Sequence, residues 1–249
     1  MNYAARRTPV LPTALKTIKR PARWRLSPAV ALDRAASTVL PTGCELILGG
    51  QKSGKSRRAE MLAAAWLAAA PTHRATLIAT AQPLDDEMRQ RIARHQADRA
   101  ERVPQLATLE EPLALADAIR RHSAPKHLLL VDCLTLWLTN WLMPLAAAPQ
   151  AAPSLALANP LNLSEKTQLA PASAAPIAML LEAIREAPGP LLLVGNEIGL
   201  GLIPLGPELR AFVDTLGLLN QQVAALAQRV VLMAAGQPLL LKNQAKEQP

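Results

Sequence analysis

The chain has 249 residues, half of them hydrophobic, and only two cysteines, Cys44 and Cys133. This length favours one α/β domain, and two cysteines outside any CxxC or Cys/His cluster argue against a disulfide framework or a zinc site. The formal net charge of +8 raises the question of nucleic-acid binding, which depends on where the charge lies.

The positive charge is concentrated in residues 1–40, which contain eight Lys or Arg and one acid. Residues 41–249 are nearly balanced, with 19 Lys or Arg against 18 Asp or Glu, which is not typical of a nucleic-acid groove. The basic segment lacks the apolar centre of a secretory signal. It indicates a disordered extension or an over-extended start, with an organelle transit peptide as the alternative.

Residues 41–249 predict a single domain in which strands and helices alternate. Near-continuous apolar strands indicate an α/β fold with a mostly parallel sheet flanked by helices on both faces. A Pro- and Ala-rich stretch at about 144–176 predicts a flexible insertion, and no stretch predicts a membrane span. In chain order, the predicted elements are strand 44–50, helix 56–70, strand 75–80, helices 86–101 and 112–122, strand 127–132, helices 135–143 and 177–187, strand 190–196, helix 207–227, and strands 229–236 and 238–242.

Between the first strand and the first helix, the stretch GGQKSGKS matches the phosphate-loop pattern G-x-x-x-x-G-K-[ST]. Such a loop surrounds phosphate oxygens with backbone N–H groups and a helix N-terminus. We expect Lys55 to act in catalysis at the β- and γ-phosphates and Ser56 to ligate Mg²⁺. The predicted nucleotide contacts of the loop are Gly49, Gly50, Gln51, Lys52, Ser53, Gly54, Lys55 and Ser56.

The predicted strand 127–132 ends in an acid, Asp132. In phosphate-loop enzymes a strand of this kind often supplies the second group on the metal side, so Asp132 is a second candidate Mg²⁺ ligand. Alternatively, Asp132 caps a helix or lies in a loop.

The predicted helix 86–101 places a histidine between two arginines. Spacings of three and four put Met88, Arg91, Ile92, His95 and Arg99 on one helix face. One interpretation is a solvated charged helix with a surface histidine. In the other, the flanking cations favour a neutral, nucleophilic imidazole and bind the phosphates that it attacks. The second interpretation makes a covalent nucleotidyl intermediate at His95 possible.

Six sequence blocks, in this order, resemble the bifunctional adenosylcobinamide kinase / adenosylcobinamide-phosphate guanylyltransferase family of cobalamin biosynthesis. The resemblance runs from about Glu45 to Lys242 and is interrupted by the predicted insertion. The blocks are LILGGQKSGKSRRAE, LIATAQPLDDEMRQRIARHQADR, LEEP, LLLVDCLTLWLTN, LLLVGNEIGLGLIP and LNQQVAALAQRVVLMAAGQPLLLK.

The resemblance implies a RecA-like phosphate-loop NTPase, located in the cytoplasm, that performs two reactions. It phosphorylates adenosylcobinamide with a nucleoside triphosphate, ATP or GTP. It then transfers GMP from GTP, through a guanylylated histidine, to adenosylcobinamide phosphate, giving adenosylcobinamide-GDP. A homo-oligomer, as a trimer, and Mg²⁺ as cofactor are also implied.

The family motif R-I-x-x-H-x-x-x-R falls on residues 91–99, so the resemblance identifies His95 as the expected GMP-histidine nucleophile. It also implies that Glu197, in the segment GNEIGLGLIP, serves the phosphoryl acceptor or the metal. Further nucleotide contacts implied by the resemblance are Thr80, Ala81, Gln82, Arg91, Gln96, Ala97, Asp98, Arg99, Glu110 and Asp132.

Two alternatives remain at the level of the sequence. The first is a monofunctional phosphate-loop kinase or NTPase in which His95 is a surface residue. The second is a nucleic-acid-binding protein that uses the basic segment 1–40. The balanced charge of residues 41–249 and the scarcity of aromatic side chains for base stacking argue against the second.

Overall fold

The structure, a computed structural model, describes residues 40–143, 171–202 and 204–244, with the backbone alone at residues 171–173. Within these ranges, seven strands form one sheet, in the spatial order β3-β2-β4-β5-β1-β6-β7. Neighbouring strands are parallel except for the last pair, β6 and β7. The strands are β1 (Cys44–Gly49), β2 (Arg74–Ala79), β3 (Ala107–Glu110), β4 (His127–Asp132), β5 (Leu191–Val194), β6 (Arg229–Ala234) and β7 (Gln237–Asn243).

Helices lie on both faces of this sheet. Alternate strand residues point to opposite faces, so Leu46 packs into one hydrophobic core and Ile47 into the other. The first core is completed by α3, α4, α5 and α6, and the second by α1. The helices are α1 (Lys55–Ala69), α2 (Asp86–Arg102), α3 (Leu115–His122), α4 (Leu134–Leu142), α5 (Pro171–Glu186) and α6 (Pro207–Leu226). The predicted mostly parallel sheet with helices on both faces is thereby confirmed.

The strand order brings the predicted site residues to one edge of the sheet. Strand β1 leads into the phosphate loop, and β5 lies between it and β4, the strand that ends at Asp132. Because parallel strands direct their carboxyl ends to the same edge, the loops after β1, β2, β4 and β5 can meet there.

Two elements differ from the sequence prediction. Strand β3 was not predicted, because it has only four residues, lies at the edge of the sheet and is largely exposed, so it has no apolar run. Helix α5 begins at Pro171, six residues before the predicted helix 177–187 and within the range of the predicted insertion. Proline is tolerated in the first turn of a helix, where its missing N–H has no intrahelical partner.

Other predictions fall on residues outside the described ranges. These are the disordered extension, of which only Leu40 is described, and the part of the predicted insertion at 144–170. Of the helices that the structure describes, none is long and apolar enough to cross a membrane.

Candidate active site

The phosphate loop depends on backbone conformations that favour glycine. Gly49 has φ 152°, and a Cβ atom there would lie 2.5 Å from the carbonyl oxygen of Met233. Gly54 is left-handed, with φ 100°, and precedes the first residue of α1. These glycines let the chain turn sharply between β1 and α1, and the N-terminus of a helix that follows such a turn is suited to binding phosphate.

Lys55, at the start of α1, is buried, and its ammonium group donates a 2.7 Å hydrogen bond to the carbonyl oxygen of Gly50. Burial lowers the pKa of Lys55 from the ordinary lysine value. Because the described residues offer this ammonium a carbonyl but no carboxylate within ion-pair distance, an anion in the loop would stabilise its charged form.

The ends of β2 and β4 are joined by a buried hydroxyl. Thr80 Oγ1 donates to the carbonyl oxygen of Cys133 and accepts from the N–H of Cys133, both at 2.8 Å. The Thr80 backbone N–H donates to the carbonyl oxygen of Asp132 at 3.2 Å, and the residue is fully buried. Thr80 therefore holds the backbone that carries Asp132, and its side chain is not exposed in the cavity wall.

Helix α2 presents the predicted histidine face to the same cavity. Asp85 caps the helix by accepting a hydrogen bond from the N–H of Met88. Arg91 and His95 are exposed, whereas Arg99, one turn beyond the histidine, is only 8% exposed. The described residues provide no hydrogen bond or ion pair to the Arg99 guanidinium. A buried cation of this kind favours an anionic ligand.

These elements surround a cavity of about 620 Å³. This volume is in the range of small-molecule sites. The predicted site residues in its wall are Gln51, Lys52, Ser53, Gly54, Lys55, Ser56, Ala81, Arg91, His95, Gln96, Asp98, Arg99, Glu110 and Asp132. Five predicted nucleotide contacts lie outside the wall: Gly49, Gly50, Thr80, Gln82 and Ala97, as does Glu197, predicted to serve the acceptor or the metal.

Sequence reasoning missed five charged residues in the cavity wall, Arg57, Glu87, Arg94, Glu60 and Arg102, of which the last two pair with each other. Glu60 lies four residues after Ser56 on α1, and Arg102 lies seven residues after His95 on α2. Helical spacing from the two predicted residues was therefore the signal that could have found them.

The cavity also contains two oxygen ligands of the kind that Mg²⁺ prefers. The Ser56 hydroxyl and the Asp132 carboxylate both line it, beside the phosphate loop. Mg²⁺ usually keeps several waters and takes one or two protein ligands together with substrate phosphates. Groups of three or more His, Cys, Asp or Glu side chains are absent from the described residues, which is compatible with this mode of binding.

Residues 45–241 match the family described as cobinamide kinase / cobinamide phosphate guanyltransferase. The chain belongs to this family. The match begins in β1 and ends in β7, so it contains the phosphate loop, His95 and Asp132. The resemblance found in the sequence is confirmed at the level of the family.

Similar proteins carry corresponding names. The chain is 43% identical over 200 residues to the bifunctional adenosylcobalamin biosynthesis protein CobP of Pseudomonas aeruginosa, covering 80% of this chain and 98% of the relative. It is 33% identical over 193 residues to the bifunctional adenosylcobalamin biosynthesis protein CobU of Escherichia coli, covering 77% and 95% of the two chains. The region matched by the family thus spans the described domain nearly from end to end.

Among solved structures, the flagellar accessory protein FlaH of Methanocaldococcus jannaschii is 12% identical and has a TM-score of 0.43, with coverage of 86% of this chain and 84% of that one. This likeness is too low to assign a property of FlaH to the chain.

Proposed function

We propose that the chain phosphorylates adenosylcobinamide with a nucleoside triphosphate, ATP or GTP, and then transfers GMP from GTP to adenosylcobinamide phosphate. Family membership supports the two reaction classes. The observation that carries the residue assignment is that Lys55, Asp132 and His95 line one cavity. One nucleotide site can then serve both reactions, with different groups acting on the γ- and α-phosphorus atoms.

In the kinase step, the loop N–H groups and Lys55 hold the β- and γ-phosphates. The acceptor hydroxyl attacks the γ-phosphorus and releases its proton to solvent, the bond to the β-γ bridging oxygen breaks, and the nucleoside diphosphate leaves. Phosphoryl transfer depends mainly on positioning and on neutralising charge. The ammonium group of Lys55 suits this role because it is buried and forms no ion pair with a carboxylate of the described residues. Phosphate oxygens therefore do not have to displace an acidic side chain from it.

In the second step, a ring nitrogen of His95 attacks the α-phosphorus of GTP and pyrophosphate leaves, so that GMP becomes bonded to nitrogen. A phosphate oxygen of adenosylcobinamide phosphate then displaces the histidine and forms adenosylcobinamide-GDP. Arg91 and Arg99 lie one turn to either side of His95, where they can bind the phosphate oxygens. The buried Arg99 supports this arrangement best.

A magnesium ion held by Ser56 and Asp132 would neutralise phosphate charge when bound. We also propose, from the family resemblance, that the chain forms a homo-oligomer and acts in the cytoplasm, where nucleoside triphosphates are available. Glu110 and the cavity-lining residues of 96–99 are proposed to contact the nucleotide.

The test is a covalent-labelling experiment. The protein is incubated with α-labelled GTP and Mg²⁺, quenched, and resolved on a denaturing gel. We expect label on the wild type, none on His95→Ala and reduced label on Lys55→Ala. The bond should be acid-labile and alkali-stable, as a phosphorus–nitrogen bond is.

His122→Ala is the matched control, because His122 is exposed at the end of α3 and does not line the cavity. Its label should equal that of the wild type. If the wild type binds GTP but takes up no label, the guanylyl-histidine step is wrong, and kinase activity alone would remain for this chain.

A further inference from the structure

Helix α2, which carries His95, has little apolar attachment to the rest of the domain. Arg99 is the one buried residue of this helix, and neither hydrophobic core contains a side chain from it. The position of His95 in the cavity wall must therefore depend on a small number of specific contacts.

One ion pair connects α2 to the phosphate-loop helix. Arg102 Nη1 lies 2.8 Å from Glu60 Oε2 on α1. Its other terminal nitrogen, Nη2, lies 3.1 Å from Asp98 Oδ2, within α2 itself. Across the described residues, Arg102–Glu60 is the only side-chain ion pair or hydrogen bond that joins α2 to another helix or strand.

The pair combines a buried acid with a half-exposed base. Glu60 is 4% exposed, whereas the Arg102 side chain is 43% exposed. The hydrogen bond to Glu60 raises the pKa of Arg102. Because a buried carboxylate needs a partner, Glu60 strongly favours the helix position in which Arg102 reaches it.

The two partners lie in register with the reacting groups. Glu60 is one helical turn beyond Ser56 on α1, and Arg102 is two turns beyond His95 on α2. A spacing of seven residues returns to the same helix face, about 10 Å along the axis. Rotating α2 by one residue would turn this face by about 100° and move His95 away from the cavity.

We propose that the Glu60–Arg102 ion pair positions His95 for attack on the α-phosphorus. Glu60 and Arg102 are positioning residues, because they act through the helix rather than on the substrate. This inference rests on the proposed guanylyl-histidine intermediate. It assigns the pair no role in γ-phosphoryl transfer, which uses groups held by α1 and the sheet.

The test measures single-turnover formation of the guanylyl-enzyme against GTP concentration in the full chain. For Arg102→Met we expect the maximal rate to fall about 10- to 100-fold, while the GTP concentration at half-maximal rate changes much less. Arg102→Lys, which keeps the charge, should recover part of the rate. Adenosylcobinamide phosphorylation should fall much less than the labelling rate does.

A double variant, Glu60→Leu with Arg102→Met, guards against simple unfolding because it leaves no unpaired buried carboxylate. It should melt near the wild-type temperature and still label slowly. Arg89→Met is the matched control on the same helix, since Arg89 pairs with exposed Asp86 and lies outside the cavity wall. Its labelling rate should be unchanged.

Three results would overturn the inference. Equal labelling rates in wild type and Arg102→Met would show that the pair does not position His95. A parallel loss of labelling and phosphorylation would indicate a general structural role. A higher GTP concentration at half-maximal rate, with an unchanged maximal rate, would make Arg102 a direct nucleotide contact. Absence of label on the wild type is a different outcome, because it contradicts the guanylyl-histidine step itself.

Discussion

At the scale of single residues, the charge state of Lys55 links burial to nucleotide binding. Its ammonium group is held by a backbone carbonyl rather than by a carboxylate, so burial is incompletely compensated and the pKa falls. Phosphates bound in the loop favour the charged form and raise the pKa again. Nucleotide binding is therefore accompanied by proton uptake at any pH at which Lys55 is partly deprotonated in the free protein.

This difference predicts that affinity for a non-hydrolysable GTP analogue falls as the pH rises through the lowered pKa of Lys55, which lies below the ordinary lysine value. Affinity falls with rising pH because the pKa of Lys55 is higher in the bound state than in the free protein. Binding is therefore strongest below the lowered pKa that Lys55 has in the free protein. Isothermal titration calorimetry in two buffers of different ionisation enthalpy measures both affinity and proton uptake.

Lys55→Arg is the matched variant, because a guanidinium stays charged throughout this pH range. Its affinity should show no comparable slope, whatever its value at neutral pH. Equal slopes in the two proteins would assign the titration to another group.

At the scale of elements, the site depends on how neighbouring strand ends are joined. The Thr80 hydroxyl bridges β2 to the residue after β4, and Asn140 on α4 donates to the carbonyl oxygens of Thr80 and Pro112. These bonds fix the backbone around Asp132. Thr80, which was predicted to contact a nucleotide, thus affects the site by holding the backbone around Asp132.

We expect Thr80→Val to lower the free energy of unfolding by about 1–3 kcal/mol. Valine keeps the shape but leaves the buried N–H of Cys133 unpaired, whereas the Cys133 carbonyl keeps its bond from the N–H of Trp137. Denaturant titration with an unchanged m-value measures the loss.

Thr215→Val is the comparison for this experiment. Thr215 is also buried, but its hydroxyl donates to the Ala211 carbonyl oxygen within α6. Because its removal strands no backbone group, the loss should be smaller. Similar losses in the two variants would contradict a special role for the Thr80 bridge.

At the scale of the whole molecule, charge and catalytic machinery lie in different parts of the chain. Residues 1–40 hold most of the excess positive charge, whereas the described fold, from β1 onward, contains both hydrophobic cores and the cavity. The net charge therefore says little about the site.

A variant beginning at Leu40 should keep its labelling by GTP and its kinase activity within about a factor of two, because no described site residue is removed. It should elute from a cation-exchange resin at lower salt than the full chain. The midpoint of denaturant unfolding is the control for folding.

Loss of activity in a folded shortened protein would show that the basic segment serves the site. Steeply salt-dependent DNA binding by the shortened protein would instead revive the nucleic-acid alternative.

Much of this arrangement follows from local sequence patterns. Apolar strands, Ala-rich helices and the glycines of the phosphate loop each predict their own conformation, so the mostly parallel sheet and the loop were predictable. The short strand β3 was not predictable because it is exposed and has no apolar run. The start of α5 at Pro171 was not predictable because Pro176, which lies inside the helix, argues against a helix that begins before it. The family blocks pointed to His95, although its pattern alone was compatible with an ordinary surface helix.

Local sequence patterns specify which groups are available: a phosphate loop, a strand ending in Asp132, and a histidine between arginines. The folded arrangement specifies which of them share a cavity, which arginine is buried, and that Glu60 pairs with Arg102. Burial and pairing depend on contacts between residues far apart in the chain, which helical and strand periodicity do not encode.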